Sequence, residues 1–158
     1  MASVFDVAEY VLSKLGKTPT MKLQKLVYYC QAWSLAWDGL PLFDDEFEAW
    51  ANGPVNPKLF AAHKGVFSVE PGHFEAFTIP DIVFTEKNIE TMDIVIRDYG
   101  DKEPWWLSEL THMEAPWRAA RCGVRMGEPS KNLISKESMQ SYYEGLISGE
   151  AHEVRTAD

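Results

Sequence analysis

The sequence predicts a mostly α fold, built as a single compact helical domain with a minor, short β element. Apolar residues recur at helical spacing between capping and stop residues in three long stretches, near positions 4–15, 20–38 and 86–99. A weak apolar alternation near residues 47–51 runs into an Asn-Gly-Pro turn, which predicts the β element. Neither a repeat nor a linker divides the sequence, so we expect residues 1–158 to form one domain.

The first two helices are predicted from their ends and their apolar faces. Ser3 is a suitable N-cap with Asp6 three residues later, and Gly16 ends the first stripe. The second helix begins near Thr18 to Thr20 and stops at Asp38-Gly39. It is apolar nearly all round, which is typical of a helix at the centre of a fold.

The middle of the chain is predicted to be less regular. Residues 40–56 indicate a short extended segment and a turn, with one strand partner elsewhere in the chain. Asn56 can cap a short helix that starts at Pro57 and runs through Lys64. Residues 66–83 have a loop-like composition, and we expect β pieces at 74–79.

The C-terminal half is predicted to be helical again. Thr85 caps the third long helix, whose expected buried face is Ile89, Met92, Val95, Ile96 and Tyr99. Shorter helices are expected from Pro104 and over residues 115–121. A loop at 123–132 leads to a last helix from Ser135, and a polar tail begins at about residue 148.

Composition and charge narrow the classes of function. Fifteen Lys and Arg against 24 Asp and Glu give a net charge of -9, which disfavours nucleic-acid binding and favours a basic protein partner. The two cysteines match no disulfide or zinc spacing, so we expect reduced, mostly buried thiols. The N-terminus does not resemble a signal peptide, and the longest near-apolar run is about half the ~20 residues of a membrane span. We therefore expect a cytoplasmic protein with no membrane partner.

Candidate catalytic and metal-binding residues are few. Glu109 and His112 have the Glu-x-x-His spacing that di-iron helical bundles use twice, and Glu114 follows, but the spacing occurs once here. A structural role is favoured for this trio, while a metal-dependent or hydrolytic enzyme centred on it stays an alternative. His63 is placed to complement a helix end, and Cys30 lies in the most apolar helix. We predict no catalytic residue, no cofactor and no metal.

Four stretches in order along the chain resemble a known family. KLQKLVYYCQAW at Lys22–Trp33, EAWANGPVNPKLF at Glu48–Phe60 and ELTHMEAPWRAAR at Glu109–Arg121 are similar to signature blocks of the Panacea domain, the SocA-like antitoxin domain. ISKESMQSYY at Ile134–Tyr143 also fits, so that the resemblance spans about residues 4–146. The segment 66–77 fits less closely.

The resemblance implies a non-enzymatic antitoxin of a toxin-antitoxin system, of the kind often found in phage-derived regions. Such a protein neutralises a cognate toxin, encoded by an adjacent gene, through direct protein contact. One family member also delivers its toxin to an AAA+ protease, and the motifs do not choose between the two modes. A general adaptor or scaffold whose partner is not a toxin is a further alternative.

Four residues are the candidate partner contacts. Trp105 and Trp106 are adjacent, and neighbours on a helix point about 100° apart, so at least one of them should not be fully buried. Trp50 and Asn52 lie at the predicted turn and are kept as contact candidates. Gly53 and the prolines of the same segment are interpreted as architectural.

Overall fold

The computed structural model of the protein describes residues 1–149, and within them it confirms the mostly α fold. The polar tail predicted from about residue 148 lies, beyond residue 149, outside the described residues. The helices of the described part are α1 Val4–Leu15, α2 Thr20–Asp38, α3 Pro57–His63, α4 Glu86–Tyr99, α5 Pro104–Met113, α6 Ala115–Ala120 and α7 Lys136–Ser148. The strands are β1 Thr18–Pro19, β2 Phe47–Trp50, β3 Gly53–Val55, β4 Ser68–Val69 and β5 Leu133–Ile134.

Helix α1 starts with the capping box that its sequence predicts. The Ser3 hydroxyl accepts a hydrogen bond from the Asp6 N–H, and the Asp6 carboxylate accepts one from the Ser3 N–H at 2.7 Å. The second oxygen of Asp6 accepts the Ile79 N–H at 3.0 Å. One carboxylate therefore caps the helix and also fixes a segment far along the chain.

Helix α2 is the centre of the molecule, as predicted. Helices α1, α4, α5 and α7 all pack against it. Every residue from Leu23 to Ala36 is buried, polar ones included. Over residues 1–149, no helix is both long enough and apolar enough to cross a membrane.

The β element is a three-stranded antiparallel sheet in the order β3-β2-β5. Strands β2 and β3 form a hairpin in which Trp50 pairs with Gly53. The expected strand partner from elsewhere in the chain is β5, whose Ile134 pairs with Phe47. A separate two-stranded pairing joins β1 to β4.

Two sequence predictions are wrong. The β pieces expected at 74–79 are absent in the structure, where Glu75–Phe77 is a short 3₁₀ helix. The N–H groups of Glu75 and Phe77 donate to the carbonyls of Gly72 and Phe74, at 3.1 and 2.8 Å, which are local bonds and not bonds to a strand. The N–H groups of Gly72 and Phe74 donate to the Glu9 carboxylate of α1, at 2.8 and 2.9 Å. Ile89, expected in the core, is 38% exposed because the first turn of α4 faces an open groove.

A buried carboxylate joins three parts of the fold. Glu114, between α5 and α6, accepts hydrogen bonds from Tyr29 of α2 and Tyr143 of α7, both at 2.7 Å and both on the same oxygen. Burial and this carboxylate raise the pKa of both phenols, which keeps them protonated as donors. The cluster ties α7 to the centre of the molecule.

We predict that Tyr143→Phe lowers the free energy of unfolding by about 1.5–3 kcal/mol, because it removes a donor from a buried carboxylate. Tyr10→Phe is the matched control, since the Tyr10 hydroxyl also donates to a carboxylate, that of Asp93 at 2.6 Å, but on the surface. Its loss should stay below ~1 kcal/mol. Denaturant unfolding of both variants checks this, and equal losses would contradict the assigned role of Glu114.

Candidate protein-interaction site

The hairpin corner is held in place by a buried glutamine of α2. The Gln24 side chain accepts the Asn56 N–H at 2.8 Å and donates to the Asn56 carbonyl at 3.2 Å. The Asn56 side chain in turn accepts the Leu59 N–H at 2.8 Å, so it caps α3 as predicted. With Pro57 at the first position of α3, the segment turns at a fixed angle from strand to helix.

Gly53 lies where the hairpin comes closest to α2. Its φ is +121°, and a Cβ atom at this position would lie 2.5 Å from Lys25 Cε and 2.9 Å from the Thr111 hydroxyl oxygen. A side chain here would require both a strained backbone and a shift of its neighbours. This agrees with the architectural interpretation of Gly53.

Trp50 and Asn52 line one surface cavity of about 330 Å³. Trp50 is half-buried, with its indole N–H donating to Glu48 at 2.7 Å and its ring edge-on to Phe60 at 4.9 Å. Asn52 is exposed at the turn. Met21 and Val55 supply further apolar lining, and the opposite wall is formed by Gly127, Pro129, Ser130 and Lys131.

The cavity wall opposite the hairpin depends on Arg121, whose importance the sequence analysis missed. Its guanidinium is buried and donates to the Ala49 carbonyl at 2.8 Å, and also to the carbonyls of Arg125 and Glu128 at 3.0 and 2.7 Å. One side chain thereby fixes the loop after α6 to strand β2. The signal in the sequence is an arginine directly after the short helix APWRAA and just before the loop GVRMGEPSKN.

Of the two adjacent tryptophans, one is exposed and one packs inward. Trp105 is 66% exposed, while Trp106 is half-buried against the core with the Lys102 ammonium 4.8 Å from its ring. This confirms that at least one of the pair is not fully buried. Trp105 shares its face of α5 with exposed Glu109 and Met113, and it does not line the cavity beside Trp50.

Within residues 1–149, the structure does not arrange the trio behind the alternative enzyme hypothesis as a metal-binding group. Glu114 is committed to the tyrosine cluster, whereas Glu109 is exposed. The His112 ring stacks on Trp117, with 4.1 Å between the ring centroids. Burial lowers the pKa of His112, although the nearby Glu109 carboxylate acts in the opposite direction. Across residues 1–149, no group of three His, Cys, Asp or Glu side chains is placed to hold a metal ion.

The interpretations of His63 and of the two cysteines change with the structure. His63 does end α3, but it is buried beside Gln24, 3.0 Å from the amide nitrogen, and burial lowers its pKa. It therefore does not act as the helix-end cation that we expected. Cys30 is a buried core thiol, as predicted, whereas Cys122 is exposed because it lies in the turn after α6.

Lys25 was also missed, although a lysine inside an all-round apolar helix is a visible signal. It is fully buried, and its Nζ has no hydrogen-bond partner among residues 1–149. Burial lowers its pKa from 10.5 to about 7. The end of the side chain lies against Gly53, directly behind the hairpin turn.

We predict that Gly53→Ala destabilises the fold by about 3 kcal/mol or more, from backbone strain together with overpacking against Lys25 and Thr111. Gly123→Ala is the matched control, because Gly123 also has a positive φ, of +85°, but a Cβ there meets nothing within 4 Å. It should lose only about 1 kcal/mol. Thermal or denaturant unfolding measures both, and similar losses would refute the close packing at residue 53.

We predict that Lys25→Met is more stable than the wild type at pH 6 and that this advantage shrinks toward pH 9. The unfolded chain holds the Lys25 proton up to about pH 10.5 and the folded chain only to about pH 7. Between about pH 7 and pH 10.5 folding therefore releases a proton, and the stability of the wild type rises by up to ~1.4 kcal/mol per pH unit. Below pH 7 the full free-energy cost of burying the charged amine remains.

The measurement is the difference in unfolding free energy between the wild type and Lys25→Met at each pH. Lys22→Met, a partly exposed position on the same helix, controls for removing one lysine charge from α2. A difference for Lys25→Met that stays constant from pH 6 to pH 9 would show that the amine is not buried as described.

Comparison with known proteins identifies the family. The family model described as antitoxin SocA-like, Panacea domain, matches residues 23–118, which is more than half of the chain. No curated protein and no solved structure matches the chain at a significant level. The matched range includes the hairpin corner, Lys25, Glu114 and all four candidate contact residues. The chain therefore belongs to the SocA-like antitoxin family with the Panacea domain.

Proposed function

We propose that this protein is the antitoxin of a toxin-antitoxin system and that it neutralises a cognate toxin, encoded by an adjacent gene, by direct protein contact in the cytoplasm. The match to the SocA-like antitoxin family over residues 23–118 carries this proposal. Neutralisation by binding needs no catalytic residue, cofactor or metal. The net charge of -9 supports a basic protein as the partner, because charge complementarity raises the rate of association.

The contact residues selected from the sequence lie on two separate surface features. Trp105 offers a large exposed ring on a helix whose other side is packed, which is how interface anchors are presented. The cavity beside Trp50 and Asn52 has room for one apolar side chain of a partner. Both walls of this cavity are already fixed, by Gln24 and by Arg121, so little conformational entropy would be lost on binding. Trp106, half-buried, would support Trp105 more than contact the partner.

Inhibition by binding and delivery to an AAA+ protease make different predictions for the fate of the toxin. Under inhibition, which we propose here, the toxin accumulates in a complex with the antitoxin. Under delivery, the toxin disappears when the protease is present and persists when the protease gene is deleted. Toxin levels measured by immunoblot in both backgrounds distinguish the two modes.

We predict that Trp105→Ala weakens toxin binding at least tenfold while the protein stays folded, because the lost ring is exposed in the free antitoxin. The adjacent gene is expressed alone, with the wild type and with the variant, and growth and copurification are measured. Ile147→Ala, an apolar residue 54% exposed at the end of α7, is the control and should behave as the wild type. A neighbouring gene that is not toxic, or whose toxicity the wild type does not relieve, would overturn the proposed function.

A further inference from the structure

An open groove along α4, shared with the end of α2, is not used by the proposed contacts. Two adjoining cavities of about 470 and 300 Å³ form this α4 groove, and Glu90 and Ile94 line both of them. Its apolar floor is Trp37, Ile89 and Ile94. The groove shares no lining residue with the cavity beside Trp50.

Trp37 and Ile89 of the α4 groove are exposed, and Ile94 is partly exposed. Trp37 is 41% exposed, and its ring stacks on Trp33 at 4.7 Å, which fixes its orientation. A third cavity of about 730 Å³ shares Asp38, Glu86 and Lys87 with the groove and adds the exposed Leu40 and Val83. Contiguous exposed apolar surface of this kind, rimmed by polar residues, is typical of a docking surface.

The charges around the α4 groove select a basic partner. Glu86, Glu90 and Asp93 are spaced at i, i+4 and i+7, which aligns three carboxylates over about 10 Å of helix. Of the two basic residues in the lining, Arg97 is bonded through both Nε and Nη2 to Asp98, at 2.9 and 3.3 Å. Among residues 1–149, Lys87 has no such carboxylate partner.

The same charges argue against other occupants. A second copy of this chain would bring the same carboxylates against its own, since the whole chain carries a net charge of -9. Anionic lipid and nucleic acid would be repelled for the same reason. A segment with Lys or Arg once per helical turn on one side and aliphatic side chains on the other satisfies both the rim and the floor.

We propose that the α4 groove binds a basic amphipathic segment of the toxin, with its cations on Glu86, Glu90 and Asp93 and its apolar side chains on Trp37, Ile89 and Ile94. The identity of the partner as the toxin rests on the proposed function, whereas the chemistry of the segment follows from the groove alone. The mode corresponds to an amphipathic helix lying in a groove.

The first experiment tests the groove without the toxin. A synthetic Leu/Lys amphipathic helix and a matched Leu/Glu helix are titrated into the protein by calorimetry. The Leu/Lys peptide should bind and weaken with added salt, and the Leu/Glu peptide should not bind. Glu86→Lys/Glu90→Lys and, separately, Ile89→Asp should each weaken binding at least tenfold, with circular dichroism confirming that both variants are folded.

The matched control separates the groove from the overall charge of the protein. Glu137→Lys/Glu144→Lys makes the same charge change at exposed positions of α7 and should retain the binding of the wild type. Equal weakening by both double variants, or binding that Ile89→Asp leaves intact, would overturn the proposal. So would tighter self-association of the wild type that Ile89→Asp abolishes, because the occupant would then be a second copy.

The second experiment uses the neighbouring gene product in the rescue assay. If the wild type and Glu137→Lys/Glu144→Lys relieve toxicity but Glu86→Lys/Glu90→Lys does not, the groove is a toxin contact. Full rescue by Glu86→Lys/Glu90→Lys would refute the groove as a toxin contact and leave the antitoxin function intact. Absence of rescue by the wild type itself would refute the antitoxin function, and the peptide titration would still decide the chemistry of the groove.

Discussion

The burial of α2 from Leu23 to Ala36 is the constraint on which the rest of the structure depends. Buried polar side chains are stabilised by hydrogen-bond partners, and apart from Lys25 the partners found by this stretch of helix fix different parts of the chain. Gln24 bonds the backbone of the hairpin corner, Gln31 bonds the backbone at Leu42 and Phe43, and Tyr29 reaches Glu114. The polar residues of α2 thus set the position of the irregular segments around it.

Local rules account for the elements that the sequence predicted well. Helix starts at Ser3, Asn56 and Thr85 depend on a capping side chain that accepts a backbone N–H three residues later, so the sequence displays them directly. Interactions between distant residues account for the errors. Glu9 of α1 accepts the N–H groups of Gly72 and Phe74 where the 3₁₀ helix begins, in place of the expected strand, and no local pattern announces such a contact.

The same distinction applies to the candidate site. That Trp50 and Asn52 lie together follows from their places in one hairpin, and the mixed exposure of Trp105 and Trp106 follows from helical geometry. The loop that completes the cavity could not be predicted, because Arg121 positions it through the Ala49 carbonyl of a strand 72 residues earlier. The acidic residues that rim the α4 groove can be read from the sequence, but its apolar floor cannot, because it includes Trp37 from another helix.

Because Gly53 lies so close to Lys25, the effect of a substitution at either position depends on the residue at the other. The end of the lysine occupies the volume that a side chain at residue 53 would need, so the two positions are not independent. A shorter residue at position 25 would open that volume, although the positive φ at residue 53 would still favour glycine. A side chain at residue 53 would therefore cost less stability in a chain whose residue 25 is shorter, and the effects of substitutions at these two positions should be non-additive.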